Sequence, residues 1–133
     1  MASSRRAFPI FSALFSTSQA FSINPASGQL KGKAMAAKDL VNKTIAENRV
    51  VIFSKSHCPY CRRAKDLFAT KFPDEQVKVL ELDLRDDGPD VQGHLAQLTN
   101  QRSVPNIFIN QKHIGGNDDL QALHQKDGVK ALL

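Results

Sequence analysis

The sequence contains no tryptophan, a single tyrosine and only two cysteines in 133 residues. Two cysteines are too few for a small secreted scaffold held together by several disulfides. They are also not scattered: Cys58 and Cys61 stand three positions apart, a spacing that favours a paired role. Acidic residues are missing from the first 34 positions, which hold four of the 18 Lys and Arg residues and none of the 13 Asp and Glu. The net charge of +5 therefore belongs mainly to that segment, and from Met35 onward the chain is balanced to within one charge. A balanced domain lacks the basic face that a nucleic-acid partner would require. No apolar run approaches the roughly 18 residues of a membrane span, and no glycine-rich dinucleotide-binding pattern is present.

What is present begins with residues 1–34, which differ in kind from the rest. They are rich in Ser, carry the Arg5-Arg6 pair, and place Phe8, Phe11 and Phe15 at helical spacing. Such a segment fits an amphipathic transit peptide for a mitochondrion or plastid. A secretory signal, with Arg5-Arg6 as its basic region, and a tail with no address are the alternatives. Pro25 to Lys33, with Gly28 and Gly32, reads as a linker. A domain over 35–133 follows, and Met35 offers a second start that would leave the protein in the cytoplasm.

Hydrophobic residues make up 41% of the chain, enough for one packed core. Ala37 to Asn48 is predicted to be a helix with Leu40, Val41, Thr44 and Ile45 on one side. Val50 to Phe53 is a continuous apolar run of the kind found in a buried central strand. Pro59 suits the first turn of a helix, where its missing N–H costs nothing. Ala64, Leu67, Phe68 and Phe72 then form an apolar helical face. Val77 to Leu84 is predicted as a strand parallel to the first. A helix from Pro89 follows, with Val91, Leu95 and Leu98 on one face. Asn106 to Ile109 and Lys112 to Ile114 make a hairpin, Asn117 to Gln125 a helix, and Val129 opens a helical stub. The order αβαβαββα is that of a small α/β sandwich.

The chemistry concentrates in Cys58-Pro59-Tyr60-Cys61, between a buried strand and a helix start. Only a thiolate attacks a disulfide, so a redox cysteine must ionise readily near neutral pH. At a helix N-terminus Cys58 meets unpaired backbone N–H groups and the positive end of the helix dipole. Lys55, Arg62 and Arg63 add positive charge nearby. Cys61 lies one turn further in, which assigns attack to Cys58 and resolution to Cys61. A zinc site would need four ligands, and His57, His94, His113 and His124 show no ligand spacing, so no metal is assigned.

Three motifs carry a family resemblance. Cys58-Pro59-Tyr60-Cys61 resembles the active-site motif of dithiol glutaredoxins, and Thr99 to Pro105 (TNQRSVP) and Ile114 to Leu120 (IGGNDDL) resemble that family's two other signatures, in the same order and spacing. The similarity runs from about Ala37 to the C-terminus. A thioredoxin would carry Trp-Cys-Gly-Pro-Cys and a monothiol glutaredoxin Cys-Gly-Phe-Ser, and neither is present. The resemblance implies a thioredoxin-like three-layer sandwich with a small mixed sheet. It also implies a monomeric glutathione-disulfide oxidoreductase that reduces protein disulfides and glutathionylated thiols. Glutathione would be the reducing co-substrate, regenerated by a separate glutathione reductase. An iron–sulfur dimer, sharing a cluster through Cys58, is the alternative; Pro59 stiffens the loop against it.

The same resemblance implies a glutathione groove. Lys55 and Gln92 would meet the glycine carboxylate, with Arg102 assisting. Val104, ahead of a cis Pro105, would present its backbone to the ligand's cysteine. Gly115 and Gly116 would allow close approach, and the helix start at Asn117 and Asp118 would bind the γ-glutamyl end, Asp118 meeting its ammonium. Tyr60 would flank the thiol. One of Asp118 and Asp119 would serve as a helix cap. The hairpin turn reads Asn110-Gln111 where the family tends towards Asn-Gly, which leaves the turn type open.

Overall fold

The structure is a computed structural model that describes residues 25–133, with side chains from residue 32. The Arg5-Arg6 pair and the Phe8, Phe11 and Phe15 stripe lie outside the described residues. The unit that carries the three motifs is Lys33–Leu133.

Four strands make one sheet in the order β2-β1-β3-β4. The two inner strands are the most apolar in sequence. β1 (Val50–Ser54) is buried at every position, and so is β3 (Asn106–Ile109). β2 (Val77–Glu81) runs parallel to β1, with Val50 opposite Val77 and Phe53 opposite Leu80. β3 runs antiparallel to β1, and β4 (Lys112–Gly115) antiparallel to β3. The alternation of side chains along β1 splits the core into two layers. Val51 and Phe53 face α1 (Pro25–Glu47) and α3 (Gly88–Thr99), packing with Val41, Ile45, Val91 and Leu95. Val50 and Ile52 face α2 (Pro59–Lys71), α4 (Asn117–Gln125) and the short α5 (Gly128–Leu132), packing with Ala64, Phe68, Leu120 and Val129. Helices on both faces of a mixed sheet make the three-layer, thioredoxin-like sandwich. None of the described helices is long and apolar enough to cross a membrane.

Three details differ from expectation. α1 begins at Pro25 and so takes in the residues read as a linker. The strong helix formers Gln29, Leu30, Lys31, Lys33, Ala34 and Met35 outweigh Gly28 and Gly32, each of which costs roughly 1 kcal/mol relative to Ala. β2 stops at Glu81, because Leu82–Leu84 turn into a 3-10 helix that buries Leu82 and exposes Leu84. Leu98 lies outside the apolar face of α3 and is 49% exposed. In the hairpin, Asn110 and Gln111 both take positive φ, at 48° and 69°. These are the signs a type I′ turn requires, even without glycine. The turn is held from outside: Asn110 N–H donates to Arg49 O at 2.7 Å, and its side-chain amide donates to Leu132 O.

Candidate active site

Cys58 is the N-cap of α2, in extended conformation, and Pro59 occupies the first helical turn. Capping positions favour small polar side chains that accept an N–H from the first turn. Here the sulfur does so, taking the Cys61 N–H at 3.4 Å. Partial burial opposes ionisation of Cys58. Hydrogen bonds from Cys61 and the Tyr60 N–H, together with the charge of Lys65, outweigh it and bring the thiol below its ordinary value. Cys61 is the opposite case. It is fully buried, burial pushes its thiol up, and the neighbouring Cys58 adds to that; the Lys55 backbone and the Ser54 hydroxyl pull only partly against them. The two thiols are thus shifted in opposite directions, the half-exposed one downward and the buried one upward.

The cation that acts on Cys58 is not the set expected from sequence. Lys65 supplies it, two turns along the same face of α2, with its ammonium paired to Glu81. Arg63 instead sits over the Tyr60 ring, 5.5 Å from its centre, and Arg62 is exposed. The i, i+7 relation of Cys58 and Lys65 is legible in the sequence.

Beside Cys58 lies an open hollow of about 390 Å³. Of the residues expected around a ligand, Tyr60, Val104, Pro105, Asn117 and Asp118 line it, with Gly116. Val104 O lies 4.0 Å from Cys58 Sγ, and the Val104–Pro105 peptide is cis. Asp119 provides the cap: its carboxylate accepts the Gly116 N–H at 3.0 Å, and the exposed Asp118 lines the hollow beside it. Gly115, at φ 122°, is required there, since a Cβ would run into that Asp119 carboxylate. The Asn117 side-chain oxygen accepts from the Gln121 amide at 3.1 Å.

Two expected residues stand apart. Lys55 is half-buried and outside the lining of this hollow; its carbonyl accepts the Cys58 N–H at 3.1 Å. The Gln92 amide donates to Arg102 O at 2.6 Å, which ties α3 to the loop after it. Gln101 and Ser103 line the hollow and were not anticipated. Gln101 donates to Ser103 O and to Pro105 O at 3.1 and 2.9 Å, bracing the loop that carries Val104. Among the described residues no group of three or more His, Cys, Asp or Glu side chains could hold a metal ion.

The segment leading into Cys58 is pinned by Asp83. Its carboxylate accepts both the N–H and the hydroxyl of Ser56, and faces His57 at 3.4 Å. The bonds from Ser56 lower its pKa from 3.8 to about 2. A carboxyl group depressed in the folded state stabilises fully above its unfolded value, and that stabilisation disappears as pH falls towards 2. Acid unfolding should therefore steepen between about pH 4 and pH 2 in the wild type. Asp83→Asn should be less stable at pH 6, and the gap should close by pH 2; a gap independent of pH in thermal melts would show that the carboxylate does not pin this loop.

Comparison with known proteins places this geometry. Residues 50–114 match the family model described as Glutaredoxin. The chain is 44% identical to Glutaredoxin-C4 of Arabidopsis thaliana over 95 residues, covering 71% of this chain and 69% of that protein. It is 43% identical to the protein named Glutaredoxin-C4, chloroplastic, of Oryza sativa subsp. japonica over 101 residues, covering 76% and 74%. A crystal structure of a buckwheat glutaredoxin–glutathione complex superposes with a TM-score of 0.72 at 36% identity, over 77% of this chain and 91% of that one. The chain belongs to the glutaredoxin family, thioredoxin-fold oxidoreductases that work with glutathione.

Proposed function

We propose that this protein reduces both glutathionylated thiols and protein disulfides, with glutathione supplying the electrons. The observation that carries the reading is the split between the two thiols: an acidified, half-exposed Cys58 and a buried Cys61 held within hydrogen-bond reach of it. Toward a glutathionylated protein, the Cys58 thiolate attacks the glutathione sulfur, and the protein leaves as a thiolate. A second glutathione then attacks the Cys58–glutathione disulfide and releases oxidised glutathione. Toward a protein disulfide, Cys58 forms the mixed disulfide and Cys61 resolves it. Support for glutathione as the ligand comes from the hollow's chemistry. It offers first-turn N–H groups of α4 for a carboxylate, the Asp118 carboxylate for an ammonium, and the Val104 backbone beside the sulfur.

The test is glutathione-dependent reduction of a small glutathione mixed disulfide by the full chain, run alongside Lys55→Glu. With Lys55 meeting the glycine carboxylate, as the family resemblance implies, a reversed charge there should raise the glutathione KM roughly tenfold at low salt, an effect that shrinks as the salt concentration rises. Unchanged glutathione kinetics would make Lys55 an ordinary surface lysine. Gln92, with its amide occupied by Arg102 O, is assigned a supporting part at the same end of the ligand.

Residues 1–34 are read as an organellar address ahead of the domain at 35–133, a reading supported by their lack of acids and by the rice relative named as chloroplastic. A fluorescent fusion of the full chain should enter an organelle, and one started at Met35 should stay in the cytosol. A cytosolic full-length fusion would remove the address.

A further inference from the structure

The loop between α3 and β3 is tied into a closed ring by side-chain hydrogen bonds. Thr99, in the last turn of α3, donates its hydroxyl to Leu95 O at 2.7 Å. The same oxygen accepts the Gln101 backbone N–H and the Asn106 side-chain amide, each at 3.2 Å. Its one proton and both lone pairs are thereby used. The Gln101 amide directs its two N–H groups to Ser103 O and Pro105 O at 3.1 and 2.9 Å. Pro105 adjoins Asn106 in the chain, which closes the ring. From α3 the Gln92 amide takes Arg102 O. Three of the four carbonyls from Arg102 to Pro105 are therefore held by glutamine amides. The fourth, Val104 O, faces Cys58 Sγ at 4.0 Å.

Asn106 shows that this ring is more than packing. It opens a strand that otherwise reads Ile-Phe-Ile, and it is 1% exposed. Its Oδ1 is buried without a hydrogen-bond partner among the described residues. An orphaned buried oxygen destabilises, whereas apolar residues in place of both Asn106 and Thr99 would leave no buried polar group unpaired. Core stability therefore does not account for the pair. What the pair does achieve is geometric: with Gln101 it fixes both ends of the segment that carries Val104.

We infer that Thr99, Gln101 and Asn106 are positioning residues that aim the Val104 backbone at the peptide groups of glutathione. They thereby set a preference for glutathionylated thiols over other mixed disulfides. The inference rests on the glutathione reading above. A ligand whose sulfur is attacked by Cys58 brings its own backbone alongside Val104, which lines the hollow. Main-chain recognition of that kind gains from groups whose direction is fixed before binding. Thr99 stands outside the lining of the hollow, so its influence passes through the loop.

The experiment follows single-turnover release of one fluorescent peptide from two disulfides, one with glutathione and one with mercaptoethanol, by the reduced full chain. Only the first carries peptide groups beside the attacked sulfur. Wild type should release the peptide from the glutathione disulfide about a hundredfold faster, because contacts remote from the sulfur assist the reaction. Thr99→Val and Gln101→Met should each cut that preference roughly tenfold, by slowing the glutathione disulfide while the mercaptoethanol disulfide stays within about twofold. Thr99→Ser keeps the hydroxyl and should keep the preference. The double variant Thr99→Val/Gln101→Met should lose little more than either single change, since members of one hydrogen-bonded ring are not additive. Thermal melts of each variant, and the half-buried loop position of Gln101, separate a lost brace from a lost fold. The ring is overturned if either single variant keeps its preference within twofold of wild type, or if both disulfides slow by one common factor as general loosening would produce. It is equally overturned if Thr99→Ser is as deficient as Thr99→Val, or if the two losses multiply in the double variant. A wild-type protein with no preference for the glutathione disulfide would instead remove the glutathione reading beneath it.

Discussion

Cys58→Ser should lose every thiol-transfer activity, by roughly three orders of magnitude or more, the scale seen when a nucleophile is removed. A hydroxyl at this position cannot ionise near neutral pH, and no other thiol can replace it, because Cys61 is fully buried and its pKa is raised. Cys61→Ser should behave differently. It keeps the Cys61 N–H bond to the Cys58 sulfur, which belongs to the backbone, and loses the contribution of the Cys61 thiol. Deglutathionylation should therefore survive within a few-fold, while reduction of protein disulfides should collapse for want of a resolving thiol. The measurement is a pair of assays on each variant, one with a glutathionylated peptide and one with a protein disulfide. A Cys61→Ser protein as inactive as Cys58→Ser on the glutathionylated peptide would reverse the assignment of roles.

How the site was reached in sequence explains what was missed. Cys58, Tyr60, Val104, Pro105, Asn117 and Asp118 sit in three short motifs, each legible because its residues are close in the chain. The fold brings five of the six to one hollow beside the sixth, Cys58. Ser54, Lys65, Glu81 and Asp83 lie in no motif. Apart from Lys65, which reaches Cys58 along α2, they meet the strand end and the loop before Cys58 because β2 lies parallel to β1, so that Ser54 pairs with Glu81 and Asp83 reaches back to Ser56. Strand pairing of that kind joins residues 27 positions apart, and hydrophobic periodicity shows that two strands exist without showing which polar side chains will meet. The early end of β2 has the same origin. Val77 to Leu84 alternates well enough to read as one strand, and what turns Asp83 toward the active-site loop is a tertiary contact.

The core provides the second large expected effect. Phe68 is 1% exposed in the layer that joins α2 to α4, packing with Ile52, Ile107 and Leu120 and tilted against Phe72 at 6.0 Å between ring centres. Replacing a buried phenylalanine by alanine costs about 3–5 kcal/mol, from lost transfer energy and from the cavity left behind. Against a typical total of roughly 5–15 kcal/mol this is a large fraction, and a domain of this size should melt on the order of 20 °C lower. The consequence reaches the site, because α2 carries Tyr60 and is capped by Cys58, while α4 carries Asn117 and Asp118, so both helices contribute to the lining of the hollow. Below its own melting point Phe68→Ala should therefore raise the glutathione KM more than it lowers kcat, since the walls lose their spacing while the Cys58 cap stays local to α2. Leu98→Ala is the matching control. Helical periodicity placed Leu98 with Val91 and Leu95, but its 49% exposure predicts a change within about 0.5 kcal/mol. Equal losses of stability for Phe68→Ala and Leu98→Ala in denaturant unfolding would mean that this layer does not hold the two helices together.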